Sequence, residues 1–256
     1  MPFEQVKEVE APDDVDPELF PTAVGIMSGP NAPLEVALLW CGWKVRTYEL
    51  LGTPFDPPKD LTEQAVREEA EADIELADVV IFQMDCSTYT RAREIPLKRK
   101  ARRIKSLPLR GPGPHLRGLP RLFKPGAEKE LESVRSMDGI LDWGLEQMHK
   151  KVDADDGALM ENPQGSYAWE FERAKELLDK GCTDYDHMAC AFSGARAKKQ
   201  RWRGDIPEIA ARRADCQHVH AEDEWNWERL PGGEIKLAAH EETEYRRAPP
   251  LGQLYG

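Results

Sequence analysis

The sequence is poor in cysteine: five in 256 residues, an odd number. A disulfide framework is not expected on that count, and the usage points to an intracellular, reducing compartment. No apolar run approaches the ~18 residues that a membrane-spanning helix needs. The basic-then-apolar order of a signal peptide is missing as well. The chain starts Met1-Pro2-Phe3-Glu4 and continues with Glu8, Glu10, Asp13, Asp14 and Asp16. No internal repeat is visible. Basic residues fall short of acidic ones, 35 against 47, for a net charge of −12. As a total, that sign argues against a nucleic-acid partner. What remains is a globular composition, 40% hydrophobic and 32% charged, long enough for one large domain with a substantial core.

The charge is unevenly placed. From Arg91 to Lys124 there are twelve basic residues and one acid, Glu94, so this stretch carries +11 and the remainder −23. The basic residues include Arg91, Arg93, Arg99, Arg102 and Arg103. A local excess of this size is either a phosphate-facing surface or a solvated loop that docks an acidic partner.

Residues 1–18 are acidic, contain Pro12 and Pro17 and lack periodicity, which reads as a disordered tail ahead of a single domain over 19–256. Residues 23–27 read as a buried strand, and Pro33 opens a helix over 34–41 that Gly42 ends. Residues 44–49 read as a second strand, 61–76 as a helix and 78–82 as a third, central strand. The basic segment over 91–126 holds six prolines and four glycines, too many for a regular helix or strand. Residues 128–152 form an amphipathic helix with a stripe of Met137, Ile140, Leu141, Leu145 and Met148. A strand over 157–161, a helix over 167–180, a strand over 185–192 and a short helix over 206–213 follow. Trp143 and Trp169 read as core.

Alternating strands and helices predict an α/β fold with a mostly parallel sheet and helices on both faces. In such folds ligands bind beyond the carboxyl ends of the strands. Here those ends carry Ser28-Gly29, Glu49, Asp85-Cys86 and Glu161-Asn162-Pro163. Cys86 follows an apolar strand and precedes a basic loop. It is either a small buried side chain or a thiol of lowered pKa that acts as a nucleophile. Glu161 ends an apolar strand, where partial desolvation raises a carboxyl's pKa and suits it to donate a proton. The same turn also serves to enter a helix, with Asn162 or Ser166 as its cap. Cys216, His218, His220 and Asp223 have the residue types of a metal site. No cysteine pair accompanies them, so a surface turn is the preferred reading and no metal is expected.

The run Cys86-Ser87-Thr88-Tyr89-Thr90-Arg91-Ala92-Arg93 resembles the catalytic Pro-Cys loop of a divergent branch of the DNA cytosine-5 methyltransferases. Glu161-Asn162-Pro163-Gln164-Gly165-Ser166-Tyr167-Ala168-Trp169 is similar to that branch's Glu-Asn-Pro motif. Lys198-Lys199-Gln200-Arg201-Trp202-Arg203 is similar to its basic motif on a later strand. The resemblance covers residues 22–220 in order and implies a Rossmann-like methyltransferase fold with S-adenosylmethionine as methyl donor and DNA as partner. It implies Cys86 as the nucleophile on cytosine C6, Glu161 at N3, and Arg203 holding the base or its phosphate with Arg201. Ser28 and Gly29 would lie at the donor's methionine portion, Glu49 at its ribose and Asp60 at its adenine amine. Arg91, Arg93, Arg99, Arg102, Arg103, Lys199 and Arg201 would contact nucleic acid, placing the protein in a nucleus or nucleoid.

Two positions differ from the family's pattern. Asp85 stands where the family has proline, and a carboxylate beside a thiol raises its pKa. Pro30 follows Gly29 where a second glycine is usual. The chain also has no room for a large target-recognition domain. These differences leave two other readings beside the enzyme. One is a silent relative that binds nucleic acid through the basic loop, and the other is a protein-docking module.

Overall fold

The computed structural model describes residues 20–94, 107–188, 191, 199–212, 227–229 and 235–237. The acidic tail, Arg99, Arg102, Arg103 and the Cys216–Asp223 cluster lie outside the described residues. The order is β1 (Thr22–Ile26), α1 (Pro33–Trp40), β2 (Lys44–Tyr48), α2 (Gln64–Leu76), β3 (Val79–Gln83), α3 (Glu128–Asp153), β4 (Gly157–Pro163), α4 (Glu172–Asp179), β5 (Thr183–Met188) and β6 (Lys199–Gly204). These strands form one six-stranded, mostly parallel sheet in the order β2-β1-β3-β4-β6-β5, flanked by helices, a Rossmann-like α/β fold. Two short strands, β7 (Trp227–Arg229) and β8 (Ile235–Leu237), pair antiparallel. No helix among the described residues is long and apolar enough to cross a membrane. The chain divides into two compact units.

The first unit comprises Met1–Met84, Gly139–Met160 and Gly204–Ile206. β1 pairs parallel with β2 and β3, with Gly25 opposite Thr47 on one side and Ile81 on the other. Its core takes Val24 and Ile26 from β1, Val80 and Phe82 from β3, and Ala70 and Ile74 from α2. The α3 stripe adds Leu141, Leu145 and Met148, each at most 1% exposed. Each such side chain contributes about 1.5–3 kcal/mol by leaving water. Phe82 meets Trp143 edge-on at 6.1 Å between ring centres. Pro33 occupies the first turn of α1, and Gly42 leaves the helix at φ 85°. Asp78 lies just before β3 rather than in it. Its carboxylate accepts the backbone N–H and the hydroxyl of Thr22, which hold its pKa below the ordinary value. β2 is an edge strand, and the carboxylate of Asp56 takes up the Thr47 N–H at 2.6 Å, blunting that edge.

The second unit comprises Asp85–Asp138, Glu161–Arg203 and Pro207–Gly256. The described part of the basic segment is irregular but packed. It makes 3-10 turns at Gly113–His115 and Pro120–Phe123, and Leu109 and Leu122 pack with Val134 of α3. The helix expected over 167–180 is divided into a 3-10 turn, Tyr167–Glu170, and α4. Phe171 between them is extended, at ψ 139°. Ser166 caps the turn by accepting the Ala168 N–H at 3.1 Å, and the Trp169 indole donates to the Pro163 carbonyl at 2.8 Å. Breaking the helix here keeps both Trp169 and Phe171 buried. The expected helix over 206–213 is a 3-10 helix, Pro207–Arg212. β5 runs Thr183–Met188, and residues 189, 190 and 192 of the expected strand lie outside the described residues.

Glycine is required at Gly204 for steric reasons, because a Cβ there would lie 2.1 Å from the Ala158 carbonyl oxygen. Gly126 has φ +91° and open space around it. Gly204→Ala is therefore expected to cost at least about 3 kcal/mol or to prevent folding. Gly126→Ala is expected to cost only about 1 kcal/mol. Urea denaturation of both variants checks the contrast.

Candidate functional site

Cys86 is half-buried and opens a tight turn directly after β3 and Met84. Its carbonyl accepts the Tyr89 N–H at 3.0 Å and the Thr90 N–H at 2.8 Å. Asp85 braces the same turn. One carboxylate oxygen accepts the Ser87 N–H at 2.8 Å and the other the Ser87 hydroxyl at 2.7 Å. This is an Asx-type turn, in which a side chain substitutes for a backbone partner. The Asp85 carboxylate thus restricts the backbone of this turn by hydrogen bonding.

Glu161 is half-buried on β4 and accepts from the Gln200 amide of β6 at 2.8 Å. Gln200 itself is 5% exposed, so the contact is sheltered from water. Just beyond β4, the Gln164 N–H donates to the Lys199 carbonyl at 3.0 Å, and the Tyr167 N–H donates to the Tyr89 carbonyl at 3.0 Å. The last bond joins the turn after Glu161 to the turn that begins at Cys86. These two segments of the second unit are therefore brought together.

The arginines of β6 are engaged with β5. Arg203 is 3% exposed, forks onto Asp184 at 2.6 and 2.8 Å and donates to the Ala174 carbonyl at 2.7 Å. Its guanidinium lies over the Trp169 ring at 5.0 Å. Arg201 forks onto Asp186 at 2.7 and 2.9 Å and reaches Asp184 at 2.8 Å, and the Asp186 bond raises its pKa further. The partners run in opposite directions along the two strands, as in an antiparallel pair. Lys199 is exposed. Arg91 pairs with Glu170 and covers the Tyr167 ring at 4.4 Å. The Tyr167 hydroxyl donates to Glu94 at 2.5 Å, and its pKa is pushed up to about 12 by burial and then by that carboxylate. Arg93 lies in the 3-10 turn Arg91–Glu94.

In the first unit the loop after β1 is conformationally unusual. Met27 and Ala32 hold positive φ, 58° and 36°, and Gly29 sits at φ 76°. Such backbone persists only where its surroundings enforce it. The Gly29 N–H donates to Glu49 at 3.0 Å, joining the ends of β1 and β2. Ser28 donates to Glu35 at 2.6 Å, and Gln83 at the end of β3 donates to the same oxygen at 2.7 Å. Glu35 is fully buried and its other oxygen, Oε2, has no partner among the described residues. Burial pushes its pKa up, against the lowering effect of those donors. Gly25 makes room for it, since a Cβ there would lie 2.5 Å from Glu35 Oε1. Asp60 accepts the Thr62 N–H at 2.8 Å and leads into α2.

The sequence reading did not single out Gln200, Glu35, Gln83 or the bracing role of Asp85. Only the Asp-x-Ser spacing carried a local signal, that of an Asx turn. Among the described residues no group of three or more His, Cys, Asp or Glu side chains is placed to hold a metal ion. No family model matches the sequence, and no curated protein matches it. The fold class rests on the sheet topology, and a functional reading rests on the residues.

Glu35 makes a specific pH prediction. Its folded-state pKa lies above the ordinary 4.5, so the native state holds more protons than the unfolded chain above that pH. Stability therefore falls as pH rises through 4.5 and on to the raised value. Glu35→Gln removes this dependence. The unfolding free energy of the wild type relative to the variant is expected to fall as pH rises above 4.5. Urea denaturation across that range measures it.

Proposed function

We propose that the chain is an S-adenosylmethionine-dependent methyltransferase that acts on cytosine C5 in DNA, with Cys86 as its nucleophile. One observation carries the reading. The half-buried Cys86 turn and the segment after the Gln200-bound Glu161 are joined by the Tyr167 N–H to Tyr89 carbonyl bond. Nucleophilic attack and charge stabilisation on one base need a thiol and a carboxyl on segments held in register.

The first unit fits a methyl donor. A Cβ built at Gly29 meets nothing within 4 Å, so the backbone there is open to a ligand. Glu49, at the neighbouring strand end, offers carboxylate lone pairs to ribose hydroxyls beyond those used by Gly29 and Leu51. Ser28 would shape the loop through Glu35, and Asp60 would meet the adenine amine. The donor supplies an electrophilic methyl group.

Cytosine C5 is weakly nucleophilic. The Cys86 thiolate adds to C6, forming a C–S bond and moving an electron pair towards C5. Glu161 hydrogen-bonds N3 and stabilises the charge that develops in the ring. C5 would take the methyl group as the donor's S–CH3 bond breaks and its sulfonium sulfur leaves as a neutral thioether; a base then removes the C5 proton, and the C–S bond to Cys86 breaks to restore the thiolate. The target base leaves the helix first, and the basic residues after Cys86 hold the backbone as it does. Arg203, committed to Asp184, enters this scheme as support for β6, which carries Gln200 to Glu161.

A second reading, nucleic-acid binding without catalysis, rests on Asp85, a carboxylate next to the thiol. Transfer of labelled methyl groups to DNA separates the two. The wild type is expected to incorporate label and Cys86→Ala to incorporate none. Glu161→Gln should be slower by about 10²-fold. Salt-dependent DNA binding without transfer would establish the second reading in place of the first.

A further inference from the structure

Arg110 is 1% exposed, a guanidinium enclosed within the second unit. Its Nη1 donates to the Asp138 carboxylate at 2.6 Å and to the Leu116 carbonyl at 2.7 Å. Its Nη2 donates to the Thr88 hydroxyl oxygen at 3.0 Å and to the Val134 carbonyl at 3.1 Å. The guanidinium stacks on the Tyr89 ring at 4.0 Å, and the Tyr89 hydroxyl donates to the Met137 carbonyl at 2.8 Å. Thr88 and Tyr89 are the middle of the turn that Cys86 opens. One buried cation thus fastens that turn to α3 and to the loop around Leu116.

We propose that Arg110 is a positioning residue for Cys86. Through Thr88 and Tyr89 it fixes the turn that presents the thiol. Asp85 and Ser87 restrain the exposed side of the turn, and Arg110 restrains its buried side. A fork of planar donors suits this task. It meets a carboxylate, a hydroxyl and two carbonyls at once, which an ammonium group cannot do from one point. Thr88, at 2% exposed, is the link that can be cut without leaving Asp138 unpaired. That this positioning serves methyl transfer rests on the function proposed above, whereas its effect on the thiol does not.

The test is the rate of alkylation by iodoacetamide at Cys86, read by peptide mass spectrometry on the full chain. Exposed Cys41 reports on the reagent, and buried Cys182 reports on opening of the second unit. Thr88→Val is isosteric and loses the acceptor, whereas Thr88→Ser keeps it. In Thr88→Val, Cys86 alkylation is expected to rise at least about fivefold, the effect of losing a hydrogen bond to a charged group. Cys182 should stay protected, and Thr88→Ser should restore the wild-type rate at Cys86. Methyl transfer by Thr88→Val should fall while that small-reagent reactivity rises. If Thr88→Val does not fold, Arg110→Lys, which keeps the charge and loses the fork, carries the same comparison. An unchanged Cys86 rate in a folded variant overturns the proposal, as does a parallel rise at Cys86 and Cys182. A wild type that transfers no methyl group overturns the proposed function and leaves the alkylation result to decide on Arg110.

Discussion

The buried Arg110–Asp138 pair is the interaction on which the second unit most depends. A charge taken out of water is costly unless it is paired and its donors are used. Here its two Nη groups donate to a carboxylate, a hydroxyl and two carbonyls, while Nε has no partner among the described residues. Those bonds replace the ladder that a Pro- and Gly-rich stretch cannot build. They explain why residues 107–127 pack against α3 without regular secondary structure. They also change the meaning of the basic segment. Arg110 is spent inside the fold, Arg121 pairs with Glu130, and Arg91 pairs with Glu170. The charge that would face a polyanion is smaller than the +11 of the sequence.

The first unit concentrates its unfavourable features at the carboxyl ends of β1 and β3. A wholly buried Glu35, a left-handed Met27 and a left-handed Ala32 each cost stability in a sheet that otherwise follows its hydrophobic pattern. The paired strands and the α3 stripe supply the burial that offsets them. Strain gathered at the ligand-facing end of an α/β sheet is the pattern expected of a binding site. The proposed placement of a methyl donor there uses the open backbone of Gly29 and the carboxylate of Glu49.

Local sequence was informative where burial follows period. The apolar runs of β1 and β3 and the α3 stripe from Met137 to Met148 needed only continuity or helical spacing to be read, and all of these residues but Val79 are buried. Pro33 and Gly42 marked the ends of α1 through their own backbone geometry. The break at Phe171 was not legible, because Trp169 and Phe171 are buried by contacts with distant segments such as Tyr89. Arg110 looked like one more charge in a basic run. Only the return of α3 beside it reveals Asp138 as its partner. β6, with its Lys-Gln-Arg-Trp-Arg sequence, has little strand character of its own. Its charges are legible only against Asp184 and Asp186 of β5. At the candidate site the residue types at the strand ends were readable, while the hydrogen bonds that hold them were not.

Under the proposed mechanism Cys86 forms a covalent bond with cytosine during methyl transfer. DNA in which 5-fluorocytosine replaces cytosine tests it most directly, because fluorine at C5 blocks the proton loss that releases the enzyme. Incubation with S-adenosylmethionine is predicted to leave a denaturant-stable protein–DNA adduct that mass spectrometry assigns to Cys86. DNA that binds together with the donor yet yields no adduct at Cys86 would contradict the claim.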